Sequence, residues 1–167
     1  QLRYAPYPVV AAPSGLAIGG GYEVLAQTDF VVAHSNSVLG LVEPLVGLIP
    51  AGGGCKEMLR RWANDLDAKN DPHYTSLKVF NILGYALTMD SPQKSKEYKF
   101  LSQDDFMVMS RDRLIGEADK KIASVKDNYT APDEPIFSLP GSSVMDPMNE
   151  ILENLLKEKK IKEHGMI

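Results

Sequence analysis

The sequence predicts an α/β chain in which short buried strands alternate with helices and then give way to a helical C-terminal region. Two apolar runs, residues 9–12 and 30–33, are short and bounded by Pro, Gly or Asp, as buried strands are. A helix-length stretch lies between them, so strand and helix repeat as layers. Further along, apolar residues recur at three- and four-residue spacing, most clearly at Met148, Ile151, Leu152, Leu155 and Leu156.

Taken in order, the strand at 9–12 sits between Pro8 and the breaker Pro13-Ser14-Gly15. A short helix is expected over 21–26, directly after three glycines, and the second strand over 30–33 is led in by Asp29. Residues 53–63 read as a helix with Met58, Leu59 and Trp62 on one side. Asp71-Pro72 marks the start of another, on which Val79, Phe80, Leu83, Ala86 and Leu87 recur at helical spacing. Ser91-Pro92 opens a short helix in the same way, and residues 106–109 suit a strand. Ser110 is placed to cap a helix whose stripe is Ile115, Ala118, Ile122 and Val125. Residues 129–143 hold Pro132, Pro135, Pro140 and Gly141 and read as an extended connection. The last helix starts at Asp146-Pro147, carries Lys157, Lys159, Lys160 and Lys162 at the end that suits the helix dipole, and has Gly165 as its expected stop. The expected organisation is therefore a core with its following helices over 1–128, the Pro-rich connection over 129–143 and an amphipathic helical segment over 144–167.

The chain has 167 residues, 44% of them hydrophobic, enough for one domain with a sizeable core and too apolar for a disordered chain. A net charge of −4 gives no basic field for nucleic acid. A single cysteine, Cys55, forms no internal disulfide, which points to a reducing, cytoplasmic setting; the residue itself reads as a small helix residue. No membrane span is expected, because the apolar run 9–21 contains Pro13 and four glycines and falls short of the ~20 residues required. It also lacks the basic flank of a signal peptide. The chain opens at Gln1 without Met and runs almost at once into a strand, the layout expected of a truncation or processing point.

The most informative residues are two glutamates. Glu23 ends the stretch Gly19-Gly20-Gly21-Tyr22-Glu23, and Glu43 lies in Leu39-Gly40-Leu41-Val42-Glu43, followed by Gly47 and by Gly52-Gly53-Gly54. Consecutive glycines leave backbone N–H groups bare for close approach, and a helix starting there turns them toward an oxyanion. Two carboxylates beside such turns suit shared control of one water or proton. Other motifs fail. No Gly-Lys-Ser/Thr follows Gly47 at P-loop spacing. Residue 12 is Ala, which rules out a nucleophile elbow at Ser14. No Gly-x-Gly-x-x-Gly follows a strand, so no NAD site is expected in this chain. His34, His73 and His164 show no metal-ligand spacing, and no metal is expected.

In order and spacing, Gly19-Gly20-Gly21-Tyr22-Glu23, Leu39-Gly40-Leu41-Val42-Glu43 and Gly47-Leu48-Ile49-Pro50-Ala51-Gly52-Gly53-Gly54 resemble the crotonase (enoyl-CoA hydratase/isomerase) superfamily. The resemblance is densest over residues 8–61. Gly40-Leu41-Val42-Glu43 with Gly52-Gly53-Gly54-Cys55-Lys56-Glu57 looks most like the C-terminal hydratase part of fused 3-hydroxyacyl-CoA dehydrogenase/enoyl-CoA hydratase proteins, as, less specifically, do residues 110–118 and the helical tail. It implies a partial crotonase-like (ββα) spiral core and a hydro-lyase reaction of fatty-acid β-oxidation, the addition of water to a trans-2-enoyl-CoA. Glu23 and Glu43 would handle the water, and the N–H of Gly20, flanked by Gly19 and Gly21, would supply half of an oxyanion hole. Isomerases of the superfamily commonly keep only one of the two carboxylates, so the pair favours hydration. No separate cofactor is implied; coenzyme A enters as part of the acyl-CoA thioester substrate.

The resemblance also implies that the other oxyanion donor and much of the coenzyme A surface come from segments preceding the match to Pro8. The expectation is therefore a weak or inactive hydratase as the chain stands. The competing expectations are a catalytically dead remnant, or an interaction subunit docking on a partner that carries the missing half. The apolar stripe of the last helix is expected to be covered, by self-association into a homo-oligomer, by that partner, or by folding back across the chain's own core.

Overall fold

The computed structural model describes residues 2–166; Gln1, read above as a boundary, and Ile167 lie outside them. Six strands and six α-helices follow one another as β1 (Val10–Ala11), β2 (Leu16–Ile18), α1 (Gly20–Ala26), β3 (Phe30–His34), β4 (Val38–Gly40), α2 (Gly54–Trp62), α3 (Tyr74–Gly84), β5 (Thr88–Met89), α4 (Pro92–Glu97), β6 (Phe106–Val108), α5 (Leu114–Val125) and α6 (Met145–Lys157). The strands form two sheets, β1-β3-β6 and β2-β4-β5. β1 pairs parallel with β3, Val10 opposite Phe30, and β2 pairs parallel with β4, Leu16 opposite Val38. The unit strand, strand, helix thus occurs twice, as β1-β2-α1 and β3-β4-α2, and each repeat adds one strand to each sheet. This is the ββα spiral expected.

The core sits between these repeats and α3. Tyr22, Leu25 and Ala26 of α1 are buried with Val31, Leu39, Met58, Trp62 and Ile82. The Tyr22 hydroxyl donates to Phe100 O at 3.0 Å, and the two rings meet edge to face at 4.9 Å between centroids. Such an edge contact places the positive rim of one ring on the negative face of the other. A smaller cluster, Val32, Leu114 and Ala118, packs α5 on the outside of the first sheet. Asp105 ties that sheet to the preceding loop, its carboxylate accepting from the N–H groups of Val31 and Ser102, each at 2.7 Å.

Several expected boundaries move, for local reasons. β2, β4 and β5 are two or three residues long, and β4 ends on Gly40, too brief for a period-two pattern to declare itself. α3 ends at Gly84, so Ala86 and Leu87 lie beyond it; Ala86 turns the chain at φ 48°. Ser110 makes no side-chain cap; a 3-10 turn, Arg111–Arg113, intervenes, and α5 buries Leu114 and Ala118 while Ile115 is 64% exposed. α6 stops at Lys157 rather than Gly165. Lys159 takes φ 57°, with Lys159 N–H donating to Leu156 O and Lys160 N–H to Leu155 O, the paired bonds of a Schellman stop made without glycine. Ser91 does cap α4, its side chain accepting from Lys94 N–H at 3.3 Å.

The connection over 129–143 contains no strand or helix before Gly141. It is pinned near its end, where His73 Nε2 lies 2.7 Å from Ser143 Oγ and that hydroxyl donates to Pro140 O. α6 then folds back on α3, with Leu155 fully buried against it. Of the three ways to cover the apolar stripe, the chain's own core supplies this one. Among the described residues no helix is long and apolar enough to cross a membrane.

Candidate active site

Gly19 sets the geometry. It joins β2 to α1 at φ 55° and ψ −130°, a combination that L side chains rarely adopt. Its N–H donates to Gly40 O at 2.9 Å, fixing the turn to β4, and its carbonyl accepts from Glu23 N–H at 3.0 Å. Glu23 falls in the first turn of α1 on its inward side and is 8% exposed. The N–H groups of Gly20 and Gly21 also open this turn. They have no acceptor within the helix, as at any helix start, and both residues are exposed.

The Glu23 carboxylate is held from the second glycine run. Its Oε1 accepts from the Gly54 N–H, the first of α2, at 2.9 Å. A methyl group at Gly52 would press on Glu23 Oε2, so a bare backbone here lets the loop approach the carboxylate. Gln27, one turn beyond Glu23, clamps the same loop, donating to Glu23 O at 3.1 Å and Gly52 O at 2.9 Å.

Glu43 arrives from the other side. It opens a 3-10 turn, Glu43–Val46, with Pro44 next and Gly47 closing the turn at φ 74°. Both of its carboxylate oxygens are buried, and among the described residues none donates to either. A Cβ placed on Gly19 would stand 3.3 Å from Glu43 Oε1, which puts this carboxylate against the turn that carries Glu23. The Cys55 thiol is pushed above its ordinary pKa by burial first, then by the negative charges of Glu23 and Glu43. Glu43 thus lies against the turn that carries Glu23, and Glu23 is held at the start of α2 beside Cys55.

Beside it opens an apolar cavity of about 440 Å³. Neither glutamate lines it, but their neighbours Pro44 and Cys55 do, with Leu48, Ile49, Leu152 and Leu155. A third acid, Glu57, is also buried, but Arg60 Nε at 2.9 Å and Lys56 Nζ at 3.3 Å tie it into α2. A buried acid with its own cations is a structural ion pair; one without a protein donor is free to take a substrate's or water's hydrogens.

Of the residues singled out from sequence, the structure gathers Glu23, Glu43 and Gly19, with Gly20 and Gly21 on the open side. A Cβ at Gly20 would meet nothing within 4 Å, so this side of the turn is open. His34 pairs with Asn36, His73 with Ser143, and His164 lies against Gly47, each in a different place. Sequence reasoning did not pick out Gln27 or the Gly54 N–H, and it read Cys55 as an ordinary helix residue. The available signal was the second glycine triplet, of which Gly52 lies against the Glu23 carboxylate.

Residues 1–69 match the family model described as enoyl-CoA hydratase/isomerase. Among curated relatives, a probable 3-hydroxyacyl-CoA dehydrogenase of Bacillus subtilis is 34% identical over 144 residues, covering 86% of this chain and 18% of that protein. The mitochondrial methylglutaconyl-CoA hydratase of Homo sapiens is 46% identical over 55 residues, 33% of this chain and 16% of its own. The chain thus spans less than a fifth of the length of these relatives. Among solved structures, an enoyl-CoA hydratase from Bacillus anthracis superposes with a TM-score of 0.57 at 23% identity, covering 95% of this chain and 54% of that one, a likeness of fold.

Proposed function

The chain belongs to the enoyl-CoA hydratase/isomerase family, and on that premise we propose that it carries the water-handling half of a 2-enoyl-CoA hydratase site of the β-oxidation type. Glu43 and Glu23 hold one water between them. As its oxygen bonds to the substrate β-carbon, one carboxylate takes a proton from the water, and a proton is delivered to the α-carbon. Negative charge that builds on the thioester oxygen meanwhile is met by the Gly20 N–H at the open start of α1. A single such donor is worth about 10²–10³ in rate. Within this scheme coenzyme A is part of the substrate, and neither a metal nor a redox cofactor takes part.

The observation that carries the proposal is the Glu43 carboxylate, buried, without a donor among the described residues, and set against the turn that carries a Glu23 carboxylate fixed by one N–H. A buried anion left unpaired costs several kcal/mol, so the position is favourable only where a ligand or water supplies hydrogens. Two such acids also favour hydration over double-bond migration, for which one suffices. The test is loss of the enoyl absorbance of crotonyl-CoA, followed in whatever longer protein restores the second oxyanion donor and full activity. Glu43→Gln keeps the shape but cannot accept a proton, and it is expected to lower the rate by at least ~10² relative to the unaltered protein, with little change in KM. Equal rates for the two proteins would remove Glu43 from the chemistry.

A further inference from the structure

A second apolar cavity of about 320 Å³ adjoins the first, and Leu59, Ser76, Leu139, Val144 and Met148 line it. Cys55, Phe80 and Leu83 line both cavities. These three residues are shared between two chambers, the first of which also takes in Pro44, next to Glu43. The first chamber is of a size that takes a small ligand. Both are walled almost wholly by hydrocarbon, so an alkyl chain suits them and a charged group does not.

We propose that Phe80 is the residue that sets acyl-chain length, by ending the first chamber and closing off the second; this rests on the assignment of an acyl-CoA thioester as substrate. Cys55 belongs to the short start of α2 and Leu83 is packed in the core, so both are fixed. Phe80 is only half-buried and outside that cluster, and its ring is the part of the wall that can be removed without opening the core. A chain that fits the first chamber gains burial with each methylene; one that is longer meets Phe80 and gains nothing more.

The experiment is titration calorimetry of the full chain with saturated acyl-CoAs from butyryl to palmitoyl, which bind but have no double bond to hydrate. Affinity is expected to rise about fourfold per methylene up to an intermediate length and then level off. Phe80→Ala should move that plateau to longer chains, with Phe80→Leu giving a smaller shift if the alanine variant folds poorly. Adding Leu139→Trp, which fills the second chamber from its far wall, should move the plateau back. Binding of acyl-CoAs with the same plateau in Phe80→Ala and Phe80→Leu would overturn the partition and leave the hydratase assignment standing. Failure of every acyl-CoA, and of the matching acyl thioesters that lack the coenzyme A headgroup, to bind would overturn both.

Discussion

At Gly19 the turn between strand and helix asks for a backbone that other residues adopt only with strain. Its φ of 55° and ψ of −130° lie where a side chain costs about 1–3 kcal/mol. A Cβ there would also press on Glu43 Oε1 at 3.3 Å. Gly19→Ala is therefore expected to lose about that much stability in urea denaturation, whereas Gly20→Ala, with open space around its Cβ, should change it by less than ~1 kcal/mol. Equal losses at the two positions would contradict the geometry of the turn. Tyr22 supplies a pH signature. Burial, opposed by Arg61, pushes its phenol up to about 12, so the fold favours the protonated form. Its contribution is complete below pH ~10, where tyrosine is protonated folded or unfolded, and is lost as pH rises toward 12 because the unfolded chain gives up its proton first. Tyr22→Phe should be less stable at neutral pH, through loss of the bond to Phe100 O, and should lose stability less steeply above pH ~10.

At the scale of elements, the docking of α6 on α3 decides whether the C-terminal segment is part of the fold. Leu155 is fully buried there, and Leu155→Ala is expected to cost ~2–5 kcal/mol by denaturation. Ile136, in the preceding connection, is 99% exposed, and Ile136→Ala should stay within ~0.5 kcal/mol. Similar effects from the two would mean that α6 is not held. The amphipathic stripe of α6 was legible because its period is local. Its end was not, because Lys159 performs a reversal usually left to glycine. Likewise β1, β3 and α1 could be read from runs of apolar residues and the glycines that part them. The strands of the second sheet could not, since each is fixed by partners elsewhere in the chain.

Across the whole molecule, two turns of a ββα spiral bring residues far apart in sequence to one place. Glu23 and Glu43 were visible as motifs, each beside its own glycines. Their meeting was not visible in composition or periodicity, because the contacts that make it are long-range: the Gly54 N–H reaches Glu23 across 31 positions, and Gly52 is bare so that it can. The claim that matters most is that the two carboxylates serve a single reacting centre. It is tested most directly by crotonyl-CoA hydration with Glu23→Gln, Glu43→Gln and the double variant, each made in the longer protein that restores activity. Groups that work as a unit are non-additive, so each single change is predicted to cost at least ~10² and the double variant to be within a few-fold of the slower single one. Losses that multiply in the double variant, or a single variant that keeps the rate of the unaltered protein, would show that the two glutamates do not share one water.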